Sequence, residues 1–288
     1  MSQSTPKKKL SRKTSLMIAI IISGGFITIL NQTVMSPALP SVMRDFGITA
    51  AEGQWLTSIF LLVNGLMVPI TAWLIDRYTT RQLFITSMLC FLAGTVVCGL
   101  APSFLILLGG RVLQAVGAGI LMPFSIVVLM LVFPKERRGF ALGMAGIVMG
   151  FAPAFGPTVA GWLVDGWGWK YIFWGIAPMA IIVIVLAAFL LSNIGARTAS
   201  KLDGVSVMLS TVGFGGLLFG FSSAGSVGWI SVQTLGAISA GALFAALFIR
   251  RQLSRDKPLL DLRVLKNTIF ADATVITMVV SAGLTVGA

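Results

Sequence analysis

The chain has no histidine, two cysteines, two tyrosines and only nine acidic residues among 288. Without histidine it lacks the side chain whose ordinary pKa falls between pH 5 and 8, so a charge switch near neutrality must come from another group. Cys90 and Cys98 stand eight residues apart in one apolar run. On a helix that is about 12 Å of rise, beyond disulfide reach, and both read as apolar filling. The acids lie mostly between the apolar runs: Asp45, Glu52 and Asp165 near one set of segment ends, Asp76, Glu136, Asp203, Asp256 and Asp261 near the other. Only Asp272 falls inside a run. A nucleophile with a base, or a metal centre of Cys, His and carboxylates, cannot be assembled from this inventory. The reading is therefore no enzyme, no metal and no cofactor.

What the chain has instead is apolar length. It is 57% hydrophobic and 10% charged, with a mean hydropathy of +0.97, a composition that makes lipid the main solvent of its surface. Nine apolar runs are visible, at residues 16–36, 54–74, 82–100, 104–132, 140–163, 171–191, 205–223, 232–249 and 269–288. Runs of about 18 residues or more cover a hydrocarbon core of about 30 Å, so an all-α integral membrane protein is expected. The first run is long and carries no small-x-small cleavage site, and is read as a retained span.

The 21 Lys and Arg sort the gaps between runs. All but Arg44, Arg111 and Lys170 fall before the first run or in every second gap after it. Cytoplasmic loops carry the excess of Lys and Arg, which places the N-terminus in the cytoplasm. The net charge of +12 is split among five short segments and forms no single basic face with interleaved aromatics, so it argues against a nucleic-acid partner and for contact with anionic lipid headgroups.

Polar groups inside the runs are few: Asn31, Gln32 and Thr33; Asn64; Arg111 and Gln114; Asp272. A charge at membrane depth costs at least about 2.5 to 3.5 kcal/mol on insertion scales, so Arg111 needs either a polar cavity or a hydrogen-bond hub around it. It stands eight residues past Ser103, and Asn31 five before Ser36. Those intervals are about 12 Å and 8 Å of helix below one boundary, so the two are expected to face one another across a common cavity. The fifth run concentrates Gly146, Gly150, Pro153, Gly156, Pro157 and Gly161. Small residues four apart permit close helix approach, and prolines remove backbone donors, which together suggest a helix that flexes.

Four segments carry a family resemblance: LNQTVMSPALP at 30–40, AWLIDRYTTR at 72–81, GRVLQAVGAG at 110–119 and APAFGPTVAG at 152–161, with WLTS at 55–58 and WKYIF at 169–173. In order and spacing they resemble the signature motifs of the major facilitator superfamily, and within it the 14-span drug:proton antiporters. The resemblance implies a basic cytoplasmic tail at 1–15, an N-terminal six-span bundle at 16–191, and a linker with two extra spans at 192–249. A cytoplasmic loop at 250–268 and the first span of a C-terminal bundle at 269–288 would follow. A 14-span member has about five further spans, so the sequence is expected to be a piece of a longer chain.

By the same resemblance the expected function is proton-coupled efflux of amphipathic drug-like compounds across the plasma membrane. Its partners would be a small-molecule substrate, protons and the bilayer, with the oligomeric state left open. Metabolite transport by the same fold, or a non-transporting membrane sensor, are the alternatives. Candidate substrate or coupling residues are Asn31, Gln32, Asn64, Arg111, Gln114, Met122, Phe124 and Asp272; Met122 and Phe124 suit ordinary packing equally well. The loop motif retains Asp76, Arg77 and Arg81, while Ala72, Thr79 and Thr80 replace two glycines and a basic residue. Asp76 is expected either to meet a neighbouring helix end or to remain a solvated loop charge. The first-span Asp of the family is Asn31 here, which cannot titrate.

Overall fold

The structure is a computed structural model that describes residues 12–194, 203–255, 258 and 260–286. The loop residues Lys7, Lys8, Lys9, Arg197, Lys201, Asp256 and Lys257 lie outside the described residues. Among the described residues the chain is all-helical: α1 (Arg12–Thr33), α2 (Met35–Phe46), α3 (Ala50–Arg77), α4 (Thr80–Leu100), α5 (Phe104–Val132), α6 (Arg138–Trp167), α7 (Lys170–Leu190), α8 (Gly204–Val227), α9 (Val232–Ser254) and α10 (Thr268–Val286), with 3-10 turns at Lys135–Arg137 and Leu262–Lys266. Eight of these helices are long and apolar enough to cross a membrane; the ninth run forms α10, whose apolar stretch Thr268–Val280 is shorter.

Local chemistry sets the helix ends. The first run is divided at the buried Val34. Pro37 then sits in the opening turn of α2, where a missing N–H costs no helical bond. Gly47 closes α2 at φ 62°, a left-handed conformation that a side chain would strain. Thr49 with Glu52 and Thr79 with Gln82 form reciprocal capping boxes that start α3 and α4. Each satisfies two backbone or side-chain donors that an opening helix leaves free.

The core of the bundle is α4 against α5, with α3 on the other side of α5 and α7 on α4. Glycines let the first pair meet backbone to backbone: a Cβ on Gly94 would collide with the Gln114 nitrogen and Gly110 carbonyl, and one on Gly117 with backbone atoms of Ser87 and Phe91. The glycines of α6 are different. Gly146, Gly150 and Gly161 have open space beside them, and only Gly156 abuts a neighbour, at Leu30 and Thr33 of α1. α6 also runs unbroken through Pro153 and Pro157. Helices α8 and α9 pack chiefly on one another, again through glycines (Gly213, Gly216, Gly220 and Gly241), with α8 also touching α3.

Candidate functional site

Arg111 lies on α5 one turn before Gln114, and both are fully buried, as are Asn31 and Thr95. Its Nη1 donates to Gln114 Oε1 (3.0 Å) and its Nε to the Leu56 carbonyl of α3 (3.2 Å). The Gln114 amide nitrogen donates in turn to Thr95 Oγ1 of α4 (2.9 Å) and Asn31 Oδ1 of α1 (3.3 Å). The guanidinium lies 4.3 Å from the Phe60 ring centre, an interaction worth about 2 kcal/mol when desolvated. Four helices are thus joined through one glutamine.

Arg111 and Asn31 do sit at one depth, but Gln114 stands between them and the cluster is closed. No carboxylate enters it: both ion pairs among the described residues are made by Asp203. Arg111 Nη2 and Asn31 Nδ2 have no partner there. Arginine keeps its charge in proteins, so the cluster is a fixed positive site whose hydrogen bonds and aromatic contact offset the cost of burial.

Beside it, α1, α3 and α5 enclose a cavity of about 320 Å³ lined by Thr28, Gln32, Leu61, Asn64, Gly65 and Met122. That is at the small end of ligand pockets, and the apolar wall with a few amides has their usual make-up. Successive residues on a helix point about 100° apart, which is how α1 gives Asn31 to the cluster and Gln32 to the cavity. Phe124 is elsewhere, buried against Phe84 with ring centres 6.1 Å apart.

The loop motif is tied down by residues its resemblance did not single out. Thr80 Oγ1 exchanges hydrogen bonds with the carbonyl and N–H of Ile194 (3.1 Å each), and the Arg81 N–H donates to Asn193 Oδ1 (3.2 Å). The Arg81 guanidinium reaches the Ala188 carbonyl at the end of α7, as cations do at helix C-termini. Asp76 is exposed and makes no ion pair among the described residues, while Arg77 lies 6.0 Å from the Trp73 ring centre. Asp272 is exposed on α10, a helix that packs mainly on the Leu262–Lys266 turn.

A clamp that the sequence reading missed joins α8 to α9. Asp203 caps α8 and accepts from Arg251 Nε (3.2 Å) and Nη2 (2.9 Å), with Arg255 Nε 3.4 Å away and Ser206 donating as well. The Arg251 hydrogen bonds, ahead of those from Ser206, hold its carboxyl well below the usual carboxylate range. The signal was available: an Asp directly before a helix and two arginines ending the next.

Comparison with known proteins follows the same lines. The sequence profile described as the Major Facilitator Superfamily matches residues 21–287. An uncharacterized MFS-type transporter of Bacillus subtilis, YcnB, is 46% identical over 98% of this chain and 59% of its own length. The lincomycin resistance protein LmrB of Listeria monocytogenes is 40% identical over 88% of this chain and 54% of its own. A multidrug resistance protein B homolog of Mycobacterium tuberculosis is 33% identical over 88% and 47%. The chain thus spans about half to three-fifths of the length of these curated relatives. Among solved structures, a bacterial homolog of the human lysosomal transporter Spinster, in an inward-facing and unoccupied conformation, superposes with a TM-score of 0.53 at 19% identity, covering 82% of this chain and 60% of that one. With its bundle of spans and a profile match across nearly its whole length, this chain belongs to the Major Facilitator Superfamily of membrane transporters, not to any class of enzyme.

Proposed function

We propose that the chain forms the N-terminal part of a proton-coupled exporter of amphipathic drug-like molecules in the plasma membrane, with its N-terminus in the cytoplasm. The observation that carries this reading is the cavity of Thr28, Gln32, Asn64 and Met122 set against the buried Arg111 cluster. Apolar walls with a few amides suit substrates that are mostly greasy and slightly polar. Relatives named for resistance to lincomycin and to multiple drugs support it. In this reading residues 16–191 are the six-span bundle, 192–249 the linker with its extra pair, and 269–288 the opening of a second bundle.

Coupling then works by exclusion. Asn31 does not titrate, and Arg111 organises the wall of the cavity and sets its positive potential without exchanging a proton. Asp272 is the acid that this sequence offers within a span, and is the candidate carrier. The test is pH-gradient-driven efflux of amphipathic dyes from vesicles holding the full-length protein. Arg111→Ala should abolish flux at normal protein abundance, and Arg111→Lys should restore part of it, because the fork of five donors is lost. Asp272→Asn should bind dye but uncouple it from the gradient. A wild-type protein that moves no dye when the gradient is applied would overturn the reading.

A further inference from the structure

At the end of the bundle that bears Arg12 and Arg138, a second cavity of about 430 Å³ opens between α1, the end of α5 and α6. Its walls are Ile18, Ala19 and Ile22 on one side and Phe140, Met144 and Val148 on the other. Ser15 marks one end of the α1 wall and Ser23 the other. Those eight residues rise about 12 Å, close to the depth of one leaflet in a hydrocarbon core of about 30 Å.

The lip of this cavity is cationic. Lys13 precedes Ser15 by two residues, and Arg138 precedes Phe140 by two. Arg138 Nε donates to the carbonyl of Phe133 (3.4 Å), itself a lining residue, which holds the guanidinium at the cavity edge. Arg12, Lys135 and Arg137 stand on the same end of the bundle, with Glu136 as the acid among them. None of these cations takes part in an ion pair among the described residues.

We propose that this cavity seats an acyl chain of an anionic phospholipid from the adjacent leaflet, with the lipid phosphate held between Lys13 and Arg138. Both halves of the ligand are required by what is there. A zwitterionic lipid would fill the apolar wall and leave the lip without a net counter-charge. A small soluble anion would meet the lip and leave the wall bare. Basic sites between spans, facing anionic headgroups, are a recurring means of lipid recognition. The assignment does not depend on which substrate the protein moves.

The experiment is native mass spectrometry of the purified full-length protein with palmitoyl-oleoyl phosphatidylglycerol, against phosphatidylcholine bearing the same chains. Wild type should retain the glycerol lipid at least tenfold better. Removing two cations near a membrane surface costs about fivefold each, so Lys13→Gln with Arg138→Gln should weaken it about thirtyfold. Ala19→Trp, which fills the wall and leaves the lip intact, should also displace it, and glycerophosphoglycerol without acyl chains should not bind. Equal retention of the two lipids, or wild-type retention by the cation-free variant, would overturn the proposal. So would full binding of the headgroup alone. Melting curves of each variant establish folding, and the Gln pair decides the matter alone if the Trp variant does not fold.

Discussion

Replacing Gln114 by leucine tests whether the glutamine joins four helices as described. The two side chains are similar in size, so packing is nearly conserved while three hydrogen bonds go: those to Asn31 and Thr95, and the one accepted from Arg111. Neutral interhelical bonds in membranes average about 0.6 kcal/mol, and one to a charged donor is worth about 1.5 to 3 kcal/mol. The sum is about 3 kcal/mol, a change of about 150-fold in the folding equilibrium. For a domain of this size it corresponds to a melting temperature about 6 to 10 °C lower. A thiol-reactive fluorophore that reports exposure of the buried Cys98 on heating reads this directly in detergent. Gln114→Glu supplies the control. It keeps an acceptor for Arg111 and adds the counter-charge the cluster lacks, while Thr95 and Asn31 can turn their own donors toward it. That variant should melt at or above wild type. A Gln114→Leu protein melting within about 1 °C of wild type, or a Glu variant falling as far as the Leu one, would refute the geometry.

Asp203→Asn should lower the melting temperature at pH 7 by removing the charge that Arg251 and Arg255 hold. The Asp203 carboxyl is depressed in the folded protein, so its stabilisation is complete above its unfolded pKa of about 3.9 and is lost as pH falls through the lower folded value. The gap between variant and wild type should therefore hold from pH 7 to about pH 4 and narrow only below that; a gap that widens on acidification contradicts the assignment. Gly94→Ala should destabilise by about 1 to 3 kcal/mol, because the new methyl meets backbone that cannot rotate away. Gly109→Ala, with open space around it, should be neutral or slightly stabilising in the same melt. Equal behaviour of the two would show that α4 and α5 are not in backbone contact.

Hydropathy and the spacing of Lys and Arg made the spans legible, because length and desolvation leave few other options for such runs. The polar residues were legible as a set for the same reason: at membrane depth each is costly and stands out. Which of them meet was not. Helices apolar on every side carry no amphipathic stripe to fix their rotation, so nothing in the sequence says that Asn31 turns inward while Gln32 lines a cavity, or that Phe124 packs on Phe84. The Leu56 carbonyl that accepts from Arg111 is backbone, and backbone acceptors are the same at every position. In the loop at 72–81 the departures from the family pattern proved structural: Thr79 caps α4 and Thr80 bonds the segment after α7. The glycines of the fifth run were legible as small residues but not as an open face, since that depends on which helices come near.

The hairpin of α8 and α9 has a consequence for how the protein is made. Its main contacts join residues about fifty or fewer positions apart, the glycine faces and the Asp203–Arg251 clamp both lie within it, and its described link to the bundle is through α3. Contacts so local in sequence close quickly and cost little loop entropy. During synthesis the pair can therefore enter the bilayer and zip shut as soon as Arg251 emerges, without waiting for any other span, and then dock sideways as a finished part.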